Sequence, residues 1–241
     1  MLKRFSNDRA LSDNIKLGVL TAISAGMVNV ISVTLFFAFT SNVTGHYAIL
    51  AEEIAKGNWY QAGVVGTWIL LFFFGSFMAN FIVINVNRIN AYLAHALPLV
   101  LEIICLLIVG SYIQFFYKET LLETEVMVGF MLFAMGIQNG LTASISNFAV
   151  KTTHLTGLTT DLGILFSMFT QHEFRANQQL RDKAKIQVSI MVSYMVGGIS
   201  AGYIYLQVSY NVFYIVCLFL LFIIGYDYYQ LRLTSLAKKR A

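Results

Sequence analysis

Three kinds of residue in this sequence could do chemistry in an apolar setting. Glu102 is a lone carboxylate inside the run Leu101–Ile104. A charge at the centre of a membrane helix costs about 2.5–3.5 kcal/mol on insertion scales, so such a group needs a reason, and binding a proton or a cation is one. Thr44-Gly45-His46 and Thr153-His154-Leu155-Thr156-Gly157 form two polar breaks between apolar runs. Glycine permits backbone conformations that other residues avoid, threonine caps helix starts, and the amides exposed at such a start bind anions. Asn42 leads into the first break, and Asn42-Val43-Thr44 also reads as a glycosylation sequon with nothing else to support it. Asn29, Gln138 and Asn139 supply neutral amides that either bond across helices or hold a polar solute. Asp161 lies one turn beyond the second break, where it complements a helix dipole or binds a cation or a cationic substrate.

The expected solute site is therefore Asn29, Asn42, Thr44, Gly45, His46, Gln138, Asn139, Thr153, His154, Thr156, Gly157 and Asp161, with Glu102 as the proton carrier. His46 with Glu52 and Glu53, and His154 with Asp161 and His172, match no metal-ligand spacing, so no metal is expected, nor any other cofactor. His95 and His172 read as loop or span-end residues. Phosphate-binding loop, dinucleotide fingerprint, zinc-protease helix and nucleophile elbow are all missing, which argues against an enzyme.

These residues are positioned by apolar helices. Of 241 residues, 58% are apolar and 12% charged, against about 25% charged in an ordinary soluble domain. Such a chain cannot cover a soluble surface. One proline, 17 glycines and continuous apolar runs favour helices over a lipid-spanning barrel. The fold class is all-α: a polytopic membrane bundle of about six spans plus two half-helices. The spans fall near Lys16–Phe39, Tyr60–Asn85, Tyr92–Tyr117, Glu125–Val150, Ile186–Val208 and Asn211–Leu231, each long enough for roughly 30 Å of hydrocarbon. The first is too long for a cleavable signal and is expected to be retained. Cys105 and Cys217 fall inside apolar runs and read as small packing residues. Trp59, Tyr60, Tyr92, Tyr226, Tyr228 and Tyr229 read as interfacial anchors.

The few charges orient the spans. Lys3, Arg4, Arg9, Lys16, Arg88, Arg175, Arg181, Lys183, Lys185, Arg232, Lys238, Lys239 and Arg240 all fall on one side of a six-span chain. Glu52, Glu53, Lys56, Lys118, Glu119 and Glu123 fall on the other. Excess Lys and Arg marks the cytoplasmic side, so both termini are expected there. The net charge of +4 faces anionic lipid and is no nucleic-acid patch.

The breaks belong to an internal repeat. AGMVNVISVTLFFAFTSNVTGHYAILAEEI from Ala25 aligns with MGIQNGLTASISNFAVKTTHLTGLTTDLGIL from Met135. Gly26 and Asn29 pair with Gly136 and Asn139, and Thr44-Gly45 with Thr156-Gly157 after a two-residue slip. In the following spans Gly75 and Ala79 pair with Gly198 and Gly202, small residues that let helices approach. The organisation is a terminal segment 1–16, a first repeat 17–118, a second repeat 119–231 and a basic tail 232–241. Three spans per repeat make the two copies inverted, an arrangement common in secondary transporters.

The stretch AMGIQNGLTASISNFAVKTTHLTGLTTDLG from Ala134 to Gly163, with GMVNVISV and NVTGHYAILAEE ahead of it, resembles the two signatures of the YoaK-like family of bacterial membrane proteins. The resemblance implies six or seven spans in the bacterial cytoplasmic membrane and no established activity. It implies Asp in many relatives at the position of Asn29, where this chain carries no ionisable group. The leading expectation is a small secondary transporter moving a small polar or anionic solute by alternating access, coupled to a proton at Glu102. The runner-up is a non-transporting scaffold or partner-binding protein. A third reading is an intramembrane lipid enzyme using Ser24, Ser32 or Ser144 with a histidine. Expected partners are membrane lipid, the solute and a second copy in a homodimer, with no nucleic acid.

Overall fold

The computed structural model describes residues 10–240, with side chains as far as residue 229. Lys3, Arg4 and Arg9 lie outside the described residues, as do the side chains of Arg232, Lys238, Lys239 and Arg240. Among the described residues every regular element is a helix. Long helices are α1 (Leu11–Phe36), α3 (Trp59–Val86), α4 (Ala91–Phe115), α5 (Leu121–Ile145), α8 (Gln178–Val208) and α9 (Val212–Arg240). Shorter ones are α2 (Val43–Ala55), α6 (Leu155–Met168) and α7 (His172–Ala176).

Five apolar stretches are long enough to cross a membrane: α1, α3, α4, α5 and Gln178–Tyr229. The last has 52 residues, roughly 78 Å as one straight rod. It is not straight. Ser209 takes φ 50 and Ser209–Asn211 forms a 3₁₀ turn between α8 and α9. Beyond it α9 runs antiparallel to α4, with Phe213 against Gly110, the Cys217 thiol against the Ile103 carbonyl and the Tyr92 hydroxyl on the Ile224 carbonyl. Among the described residues, six long helices therefore make up the bundle.

Short polar side chains set the boundaries. Asn58, Asn90 and Asn177 accept backbone hydrogen bonds at the starts of α3, α4 and α8, and Thr120 with Glu123 forms a capping box on α5. The Asn177 cap starts α8 at Gln178, well before the expected Ile186, because the charged turns there stay helical. Helix α5 stops at Ile145 rather than Val150, since Asn147 and Phe148 adopt left-handed backbone (φ 50 and 61).

Close contacts recur in matched pairs. Helices α1 and α8 run in parallel: Gly18 meets Ile190, Gly26 meets Tyr194, and Val30 meets Gly198 and Gly202. Helices α3 and α5 also run in parallel, from Gln61 on Glu125 to Asn80 on Ser144. A Cβ added at Gly26 would stand 2.1 Å from the Tyr194 carbonyl oxygen, and one at Gly136 2.2 Å from that of Phe72. A Cβ at Gly197 would stand 2.1 Å from the Ile23 carbonyl oxygen, and one at Gly75 2.2 Å from that of Phe133. Gly75 and Ala79 thus take the places that Gly197 and Ala201 hold in α8. The pairing with Gly198 and Gly202 is one residue out of register. Spacing alone could not separate the two sets, and it is Gly197 that abuts the α1 backbone directly.

The half-length helices start inside the bundle. After α1 the chain turns at Phe37 (φ 53) and doubles back, so that Thr40 reaches Asn29 about two turns below the end of α1. From there α2 returns antiparallel along α3, with Leu50 against Gly66 and the His46 ring 5.7 Å from that of Trp68. After α5 the chain doubles back likewise, Thr153 reaches Asn139, and α6 returns along α8 through Asp161–Lys183 and Leu165 against Ala184. Helix α5 buries most of its residues and α3 few of them, so α5 is central and α3 peripheral.

Candidate functional site

Both half-helix starts open on one cleft of about 1320 Å³. Its walls come from matching positions: Asn29, Val30, Val33 and Thr34 on α1, and Asn139, Gly140, Ala143 and Ser144 on α5. Phe72, Phe73, Ser76, Phe77 and Asn80 of α3 form one side, and Tyr194 of α8 the other. The two breaks close its ends with Ser41, Asn42 and Thr44, and with Lys151, Thr153, His154 and Thr156. No carboxylate lines it among the described residues.

Equivalent asparagines tie the breaks down. The Asn29 Oδ1 accepts from the Thr40 amide (2.9 Å), the Thr40 hydroxyl (3.2 Å) and the Ser41 hydroxyl (3.3 Å). Its Nδ2 donates to the Tyr194 hydroxyl at 2.7 Å. The Asn139 Oδ1 accepts from the Thr153 hydroxyl at 2.9 Å, but its Nδ2 donates within its own helix to the Met135 carbonyl. Phe72, which holds the Tyr194 place on α3, has no hydroxyl to offer. The first break is thus held to Asn29 by three hydrogen bonds, with Asn29 itself anchored to Tyr194, and the second is held to Asn139 by one.

Glycine at the third position of each half-helix has the same cause in both. The Gly45 amide donates to the Asn42 side chain, and a Cβ on Gly45 would stand 2.7 Å from the Asn42 Nδ2. A Cβ on Gly157 would stand 2.8 Å from the His154 ring. Asn42 and His154 are the residues folded over these starts.

Of the expected site residues, Asn29, Asn42, Thr44, Asn139, Thr153, His154 and Thr156 line the cleft. The rest sit elsewhere. Gly45 lies beneath the capping Asn42 side chain and Gly157 beneath the His154 ring. His46 is buried against Trp68. Gln138 is buried between α5 and α1, donating to the Thr21 carbonyl and the Ser24 hydroxyl. Its adjacency to Asn139 misleads because neighbouring residues on a helix face different directions. Glu102 is fully buried on α4, with no hydrogen-bond partner for either oxygen among the described residues, and it does not line the cleft. Ser24 and Ser32 are buried, donating to the Thr21 and Ala38 carbonyls. No cluster of metal-binding side chains occurs among the described residues.

Sequence reasoning missed Ser41, Ser76, Asn80, Asn147, Lys151 and Tyr194 as cleft residues. Ser76 and Asn80 carried a signal, since small polar residues four apart share one face of α3. Tyr194 and Lys151 carried none by themselves, because they reach the cleft through packing of α8 and the fold-back of the loop.

Asp161 lies in an adjoining cavity of about 650 Å³. Its carboxylate meets the Lys183 ammonium at 2.8 Å and accepts from the Gln187 amide at 2.8 Å, contacts that hold its pKa below the ordinary aspartate value. A depressed folded pKa contributes stability above the unfolded pKa, lost as pH falls through the folded one. The pair is exposed (52% and 41%), so the contribution is under about 1 kcal/mol. Asp161→Asn is expected to lower the thermal midpoint slightly at pH 7, by an amount that shrinks as pH falls below the ordinary aspartate value. A large loss that does not change with pH would mean that Asp161 is held by something else.

Residues 17–226 match the family model described as "Protein of unknown function (DUF1275)". No curated protein and no solved structure matches the chain.

Proposed function

The chain belongs to the DUF1275 family, since the match spans nearly all of it, and because that family's function is unknown we propose one from the residues themselves: a small secondary transporter built of two inverted repeats. The YoaK-like grouping remains a resemblance. The observation that carries this reading is the cleft, bordered by both half-helix starts and by the equivalent residues Asn29 and Asn139. Transporters of this architecture bind solute where discontinuous helices from two inverted halves meet.

In the proposed cycle the α1–α8 and α3–α5 pairs rock against each other. Their glycine-lined seams keep each pair rigid. The two breaks exchange roles as gates, one opening while its counterpart holds. Glu102 is the proposed proton carrier. Burying a lone carboxylate costs several kcal/mol, so a change in its proton occupancy is coupled to a change in its surroundings. Orientation follows the loop charges: both termini face the cytoplasm, and the second break opens there. Lipid covers Phe74 and Phe81, the exposed α3 phenylalanines outside the cleft, and no covalent chemistry is assigned to the chain.

The test is uptake into proteoliposomes made with the full chain, screened over labelled small acids, amides and sugars. At least one solute should be carried faster than by empty vesicles. Ser144→Trp, which fills the cleft, should abolish its uptake and leave the thermal midpoint within a few degrees of wild type. Glu102→Gln should abolish accumulation driven by a proton gradient while sparing solute exchange. Uptake that survives both Ser144→Trp and Asn139→Ala unchanged would overturn the site.

A further inference from the structure

The only charged side chain along the cleft among the described residues is Lys151, and its setting is built. Val150 and Thr152 on either side of it are fully buried. The Val150 amide donates to the Ser146 hydroxyl at 2.9 Å, and Thr153 is bonded to Asn139. The backbone that carries Lys151 is therefore fixed, and the lysine is the residue of this strip left to face the opening. It makes no ion pair among the described residues. The nearby acids have their own lysines: Asp161 pairs with Lys183 at 2.8 Å and Asp182 with Lys185 at 3.8 Å.

Phe148, Lys151 and His154 line both the cleft and the adjoining cavity that holds Asp161. That cavity is polar, and the buried Gln187 on its wall has an oxygen without a partner among the described residues. A solute passing from one space to the other meets Lys151 at the junction. Across the cleft stand Phe72, Phe73 and Phe77, with no opposite charge.

We propose that Lys151 is the counter-charge of an organic carboxylate, whose apolar body lies against the α3 phenylalanines and whose carboxyl group faces the second break. This rests on the transporter reading only for the movement of the solute; the binding site stands without it. An ammonium whose nearby acids, Asp161 and Asp182, are paired with Lys183 and Lys185 favours an anion, and an aromatic wall favours an organic one over inorganic phosphate. The positive end of the α6 dipole adds to the same preference. A lipid headgroup reaching in sideways would offer anionic chemistry too.

Binding is read first, as the shift in thermal midpoint of the detergent-purified chain with benzoate, butyrate, benzamide or inorganic phosphate. Benzoate should shift it most, butyrate less, and benzamide and phosphate least. Lys151→Gln should weaken the benzoate effect by about tenfold or more in concentration, as expected for loss of one charge-assisted bond, and Lys151→Arg should restore most of it. Uptake of benzoate into phosphatidylcholine vesicles is read second. Binding that depends on Lys151 without uptake keeps the carboxylate site and removes the transporter reading. Competition by phosphatidylglycerol that Lys151→Gln also removes keeps the anion site and assigns it to a headgroup. A benzoate shift unchanged in Lys151→Gln, an equal shift with benzamide, or no shift with either carboxylate overturns the proposal.

Discussion

Gly197→Val is expected to keep the bundle from forming, and Gly136→Val to do the same at the matching seam. At Gly197 even a bare Cβ would stand 2.1 Å from the Ile23 carbonyl oxygen. Both atoms belong to helix backbones, so no rotamer change relieves the clash. The two helices must part by about an ångström along their whole contact, and dispersion contacts fall off steeply over that distance. Overpacking of flexible cores costs about 1–3 kcal/mol. A rigid backbone seam lies beyond that range, at a size that point substitutions reach only through a defined defect. Gly63→Val and Gly163→Val are the controls, since nothing lies within 4 Å of a Cβ at either. Size-exclusion profiles and thermal unfolding in detergent read the outcome. A Gly197→Val chain that melts with the wild type would remove the close seam, and with it the rigid α1–α8 pair that the proposed rocking motion requires.

Much of this arrangement is written in residue types. The helices, their number and the two interruptions follow from apolar runs, capping asparagines and the paired Thr-Gly steps. The register of α3 against α8 does not, because Gly197, Gly198, Ala201 and Gly202 offer two equally small faces. Which face meets α1 depends on how α8 is rotated, a property of the packed bundle. The cleft divides in the same way. Asn29 and Asn139 were legible as a repeated pair, yet their roles differ through the groups opposite them, Tyr194 in one half and Phe72 in the other. Lys151 was invisible for a related reason: in sequence it is one more basic residue in a loop, and only the fold-back onto Asn139 carries it to the cleft. Glu102 was legible as the costly residue, but its position along the chain could not tell a cleft wall from the core of α4.

Asn29→Ala is expected to cost far more than Asn139→Ala, although the two residues occupy equivalent places. Removing Asn29 strips the buried Thr40 amide and hydroxyl of their acceptor and the Tyr194 hydroxyl of a donor. Each buried polar group left without a partner costs about 1–3 kcal/mol. The sum is about 3–5 kcal/mol, reduced by whatever water enters. Asn139→Ala loses one inter-segment bond, from Thr153, and should cost about 1 kcal/mol. Tyr194→Phe makes α8 resemble α3 at this point and should cost about 1 kcal/mol as well. The double variant Asn29→Ala with Tyr194→Phe should then cost less than the sum of its parts, because the two residues share one bond. Thermal midpoints of the four variants decide this. The same asymmetry bears on the proposed gates, since a break held by three bonds to Asn29 should open less often than one held by a single bond to Asn139. A cysteine at Thr156 should therefore react with a hydrophilic thiol reagent faster than one at Thr44, against a low background because Cys105 and Cys217 are buried. Asn29→Ala should bring Thr44→Cys up to the rate of Thr156→Cys. Equal midpoints for Asn29→Ala and Asn139→Ala, or equal labelling at both positions in the wild type, would mean that the first break is not the closed gate.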